Sequence, residues 1–111
     1  MYTHANFEMI GRVAKITSRD AVSYLTVAGD DAIKDESGAF EDRPWFNDLA
    51  AFGAVKEGLS RLRTGDLVRA VGTIRPTQYE NDDGMTVYAT GMTLRKVSIL
   101  ARSSREIEEE A

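Results

Sequence analysis

Aromatic and cationic side chains recur close together along this chain. Trp45 and Phe46 are adjacent, Phe52 follows, Tyr79 comes shortly after Arg75, and Tyr88 lies beyond an acidic stretch. Flat apolar rings offer faces on which unpaired bases stack, at about 1–3 kcal/mol each, while cations beside them track phosphates. That combination points to single-stranded nucleic acid. Each ring also has a plainer reading, because an aromatic on a strand is more often core than platform. Phe52, between Ala51 and Gly53, is open to both. Trp45 and Phe46 point to opposite faces of any strand that holds them, so one is core and the other exposed, and the sequence leaves open which. Tyr79 has acidic neighbours and no apolar partners, which argues for exposure and a binding role.

Four cations, Arg12, Lys15, Arg69 and Arg75, fall inside predicted strands. Alternation sets Arg12 out of phase with Val13, and Arg69 out of phase with Val68 and Ala70, so these charges face water or a partner. Arg61 and Arg63 read as the solvated side of a helix. Arg95 and Lys96 fit either nucleic acid or a contact between copies.

Other chemistries find no seat. The chain has no Cys and one His, which removes disulfides and leaves Cys/His zinc sites and Cys- or His-based nucleophiles without residues. Gly53 to Gly58 lacks the Gly-Lys-Ser/Thr sequel of a phosphate loop, and there is no Gly-x-Ser-x-Gly elbow. The cluster Asp30, Asp31, Asp35 and Glu36 does not match the spacing of a calcium loop and reads as a solvated acidic loop. The expectation is a binding protein with no catalytic residues, no metal and no cofactor.

With 111 residues, 14 Lys+Arg and 18 Asp+Glu, the chain suits one domain of net charge −4. No run of about 18 apolar residues and no secretory leader is present, so a cytoplasmic protein off the membrane is expected. The acidity is concentrated. Thirteen of the 18 acids lie in Asp30–Asp42, Glu80–Asp83 and Glu106–Glu110, opposed there only by Lys34. The remaining 13 basic residues face five acids, Glu8, Asp20, Asp48, Glu57 and Asp66. Acidic loops and a tail therefore surround a basic body of about +8.

The elements that must position these residues follow from periodicity. Asn6–Thr17 reads as a strand with a bend or bulge at Gly11, and Ala21–Ala28 as a second strand across a short turn. Residues 29–44, polar and acidic, read as a protruding hairpin or loop. Trp45–Phe52 is a third strand. Val55, Leu59 and Leu62 then mark one face of a helix over Gly53–Arg63, with Gly65 at its C-terminal cap. Leu67–Ile74 alternates clearly, Asp83-Gly84 signals a hairpin turn, and Met85–Leu100 is a return strand bent at Gly91. The order predicts an all-β protein, a five-stranded Greek-key OB-fold barrel with one short helix between strands 3 and 4. It occupies residues 1–101, with an acidic, disordered tail over 102–111.

The succession Met9-Ile10-Gly11-Arg12-Val13, Leu25-Thr26-Val27-Ala28, Trp45-Phe46, Ala51-Phe52-Gly53, Thr64-Gly65-Asp66-Leu67-Val68, Gly72-Thr73-Ile74-Arg75, Tyr79, Asp83-Gly84 and Tyr88-Ala89-Thr90 resembles the bacterial single-stranded DNA-binding protein family. The resemblance implies an OB-fold that assembles as a homotetramer, with a dimer as alternative, and binds single-stranded DNA without sequence preference. It implies stacking by Phe46 (or Trp45), Phe52 and Tyr79, and phosphate contact by Arg75. Spacing to Phe52 puts Phe46 in the usual place. Departures are visible. Family lysines appear as Ala54, Thr64 and Gln78, a loop aromatic is replaced near Ala32–Ile33, where Phe40 substitutes, and the linker and acidic Pro-Phe tip are missing.

The expected site is therefore Arg12, Lys15, Trp45, Phe46, Phe52, Arg69, Arg75, Tyr79 and Tyr88. The expected role is protection of single-stranded DNA in replication, recombination or repair, in a short bacterial, plasmid or phage form. Recruitment of replication and repair proteins through the tip is in doubt. The alternative is an OB-fold protein-interaction module of the primosomal type that binds DNA weakly.

Overall fold

The computed structural model describes residues 3–103. Five strands, β1 (Asn6–Ser18), β2 (Ser23–Lys34), β3 (Phe40–Ala51), β4 (Leu67–Glu80) and β5 (Thr86–Ala101), close into a barrel in the order β1-β2-β3-β5-β4. All neighbours are antiparallel except β3 and β5, which meet in parallel at Ala50 and Thr93. This is the barrel the sequence predicts. The expected sixteen-residue stretch of loop or hairpin over 29–44 is a hairpin, and its arms continue β2 and β3 as far as Lys34 and Phe40.

Alternation builds the core. Phe7 and Val13 of β1, Leu25 and Val27 of β2, Leu49 and Ala51 of β3, Val68 and Ala70 of β4, and Leu94 of β5 point inward and are buried. Leu59 and Leu62 close one end. Burying an aliphatic side chain of this size contributes about 1.5–3 kcal/mol, so these positions supply most of the driving force.

The bulges fall elsewhere than at the glycines. Gly11 and Gly91 stay in register opposite Val68 and Arg75. The extra residue in β1 is Ala14, and those in β5 are Arg95 and Leu100. A bulge needs a residue that both strands can leave unpaired, and in a closing barrel that is set by curvature rather than by residue type.

The predicted helix is shorter than its apolar spacing suggests. Helix α1 covers Gly53–Gly58, and a 3-10 turn over Leu59–Arg61 follows. The helix ends before Gly65, whose φ of +93° serves the turn into β4, where its N–H donates to the Val13 carbonyl at 2.8 Å.

Both hairpin tips use one device. Asp35 and Asn81 open them, and Gly38 and Gly84 follow three residues later with φ of +90° and +79°. Oδ1 of Asp35 accepts from Ser37 N, Ser37 Oγ and Ala39 N, while Oδ1 of Asn81 accepts from Asp83 N and Met85 N. A short Asx side chain replaces backbone partners at the first position and glycine takes the left-handed fourth. The Ser37 hydroxyl and, against slight burial, the N–H groups of Ala39, Ser37 and Gly38 hold the Asp35 carboxyl below its usual pKa.

Candidate nucleic-acid interface

Register carries side chains from three strands into rows on the outer face of the barrel. Arg12 of β1 faces Ala28 of β2, which faces Phe46 of β3. One rung on, Lys15, Thr26 and Asp48 form a second row, and Thr17, Tyr24 and Ala50 a third. Phe52 follows in extended conformation (φ −127°, ψ 155°), so it keeps the parity of Phe46, Asp48 and Ala50. Phe46 is 64% exposed and Phe52 52%. Single exposed apolar side chains are ordinary, but two large rings exposed along one face of a strand mark a surface for a partner.

The adjacency of Trp45 and Phe46 is thereby decided. Trp45 lies on the inward side, packs against the core and crosses Gly29, where an added Cβ would sit 2.2 Å from its ring. Glycine there admits the indole. Phe46 is left outside.

Arg75, Thr77 and Tyr79 share one face of the β4–β5 hairpin, and that face continues the outside of the barrel. Phe52, Arg75 and Arg95 line a common groove, with Thr73, Thr93 and Val55 on its floor and sides. The structure thus joins Phe52 to Arg75 and places Tyr79, 58% exposed, further along the same face. Tyr88 does not join them. It faces Gln78 across the hairpin, one position out of phase with the Tyr79–Val87 pair, so it points to the opposite face.

The cations divide. Among the described residues, Lys15, Arg75 and Arg95 make no ion pair. Arg12 is exposed and donates to the Gly65 carbonyl at 3.1 Å. Arg69, expected to contact phosphate, donates through Nε and Nη2 to Glu8 at 2.8 and 2.6 Å. Its charge is already answered on the β1–β4 surface, away from Phe46 and Phe52. The pairing was hidden in the sequence because 61 residues separate the partners. Arg95, which the sequence left open, stands in the groove beside Phe52 and Arg75, next to the inward-facing Leu94.

One buried acid braces the scaffold. Asp66 is fully buried and accepts from the N–H of Arg63 and of Ser103, each at 3.0 Å, and from Arg102 Nη1 at 3.1 Å. Burial pushes its carboxyl up, but these donors outweigh that and hold its pKa below the ordinary value. Arg102 and Ser103, expected in the tail, are therefore fastened to the barrel. The rest of the expected tail, Glu106–Glu110 included, lies outside the described residues.

The profile of the Single-strand binding protein family matches residues 6–100. The chain belongs to that family. No curated protein matches it by sequence. Among solved structures it is similar to a deletion mutant of the single-stranded DNA-binding protein of Thermus aquaticus, at 24% identity and TM-score 0.71, over 86% of this chain and 49% of that one. It spans about half the length of that protein. It is also similar to the small single-stranded DNA-binding protein of Streptomyces coelicolor, at 17% identity and TM-score 0.63, covering 88% and 95%. The Plasmodium falciparum protein in complex with single-stranded DNA gives 16% and 0.71, covering 90% and 97%. At these identities the structures speak for the shared barrel.

Several exposed positions on this surface are uncharged. Ala54, Thr64 and Gln78, where the resemblance led to lysines, are all exposed and carry no charge. Phe40 is 73% exposed and shares the parity of Phe46 on β3, so an aromatic does stand on the β2–β3 arm.

Proposed function

We propose that the chain, which as a member of the single-strand binding protein family binds single-stranded DNA, does so without sequence preference and without catalysis. Bases stack on Phe46, Phe52 and Tyr79, and phosphates run past Arg12, Lys15, Arg75 and Arg95. The observation that carries this is three rings more than half exposed on one outer face, two of them along β3 and the third on the arm that bears Arg75. Trp45 adjoins Phe46 in sequence and reports on the site. Titration with oligo(dT) should quench its fluorescence, and affinity should fall as salt rises, because each phosphate contact releases counterions. Absence of binding at micromolar protein, or binding indifferent to salt, contradicts the proposal.

The same reading includes self-association, as a homotetramer. Ile10, 51% exposed, lies on the outer side of β1 opposite Arg69 and is an exposed aliphatic side chain on the β1–β4 surface. Light scattering on the full chain tests it: a tetramer is expected, and Ile10→Glu should shift the mass downwards. An interaction module of the primosomal type finds no support beyond the reduced number of cations.

A further inference from the structure

The acid between the stacking rings is the least expected residue of the interface. Asp48 lies on the outer face of β3, two positions after Phe46 and four before Phe52. At about 3.3 Å per residue, six positions separate the two rings by roughly 20 Å, several times the spacing of about 3.4 Å between stacked bases. DNA that uses both rings must therefore lay nucleotides over what lies between them. What lies there is a hollow lined by Lys15, Thr17, Arg19, Tyr24, Thr26 and Asp48.

Its chemistry is not that of a phosphate track. Thr26 Oγ1 donates to Asp48 Oδ1 at 2.5 Å, and Thr26 itself is buried, which fixes the carboxylate at the surface. The second oxygen has no partner among the described residues. An ionised carboxylate only accepts hydrogen bonds and repels phosphate. Its natural ligand on an unpaired base is an exocyclic amino group, as when Asp or Glu accepts from cytosine N4. Thymine has no amino group, and its single ring N–H stands between two carbonyl oxygens that would face the same carboxylate. Lys15, two strands from Asp48 across Thr26 of β2, and Arg19 give the phosphates a place on the other side of the hollow. Lys56 Nζ donates to the carbonyls of Arg19 and Asp20 at 3.1 and 2.6 Å and fixes the turn that bears Arg19.

We propose that this hollow is a base-selective subsite in which Asp48 accepts from an exocyclic amino group, so that amino-bearing bases are preferred there over thymine. It rests on the DNA-binding reading and departs from it in one respect: binding carries a bias in composition.

The test compares oligo(dC) with oligo(dT), both pyrimidines, at equal length, fixed salt and pH 8, by fluorescence anisotropy on labelled strands. One well-placed base contact discriminates by about 1–3 kcal/mol; a partly solvated one at the lower end gives a preference for dC of about fivefold per subsite. Asp48→Asn should bring the ratio towards one while tightening both strands, since a repulsive charge is gone. Lys15→Gln should weaken both alike and leave the ratio standing. A wild-type ratio of one or below, or a ratio that Asp48→Asn leaves unchanged, overturns the subsite while the DNA-binding reading stands. Failure of both strands to bind overturns the two together.

Discussion

Phe46 and Trp45 are neighbours in sequence and opposites in role, because a strand alternates its faces and only one of them was left in water. Phe46→Ala and Phe52→Ala should each weaken oligo(dT) binding by roughly tenfold, in keeping with about 1–3 kcal/mol per stacked base. Thermal stability should change little in both, since neither ring fills the core. Gly29→Ala should do the reverse. A methyl group there collides with the Trp45 ring and should cost about 1–3 kcal/mol of stability, read by thermal denaturation. Tyr88→Ala, on the face opposite Tyr79, should affect binding far less than Tyr79→Ala.

At the level of elements, local devices turn the hairpins and a distant buried contact braces the ends of the barrel. Paired Asx-Gly tips make two hairpin arms from polar sequence that shows no burial period, since both faces of each arm are solvated. Asp66 ties the turn before β4 to the two residues after β5. Its folded pKa lies below the ordinary value of 3.8. The stability it contributes is therefore complete above that value and is lost as pH falls through the lower, folded one. Denaturant midpoints should drop on acidification below about pH 4 in step with this group, and Asp66→Asn should flatten that part of the profile. Asp66→Ala removes the buried acceptor of the Arg63 and Ser103 N–H groups and of Arg102 and should cost about 2–4 kcal/mol.

Over the whole molecule, charge is arranged against its own total. A chain of net charge −4 carries its acids largely on two arms and in the tail sequence, and presents Arg12, Lys15, Arg75 and Arg95 on a common outer surface. For single strands the slope of log affinity against log salt is about −0.7 per phosphate neutralised. Arg75→Gln should make the slope shallower by about that amount. Arg69→Gln should leave it nearly unchanged, because Glu8 already neutralises this guanidinium. A salt series of oligo(dT) titrations on the two variants reads the difference directly.

The strand order, the position of the helix, the Asp83-Gly84 tip and the exposure of Tyr79 were legible because each is written in local signals: period-two alternation, an Asx-Gly turn and a ring among polar neighbours, whereas the choice between Trp45 and Phe46 and the exposure of Phe52 came with the fold. The acidic stretch 29–44 left hairpin and loop unresolved, since an arm solvated on both faces has no apolar period. Bulges at Ala14, Arg95 and Leu100 follow from closing a barrel, so no residue type announces them. Contacts between residues far apart in the chain came only with the fold. They pair Arg69 with Glu8, fasten Ser103 to Asp66, part Tyr79 from Tyr88 and set Asp48 beside Thr26. Sequence alone determined which side chains were available for single-stranded DNA. Tertiary structure decided which of them share a face, because that depends on register between strands that the chain visits many residues apart.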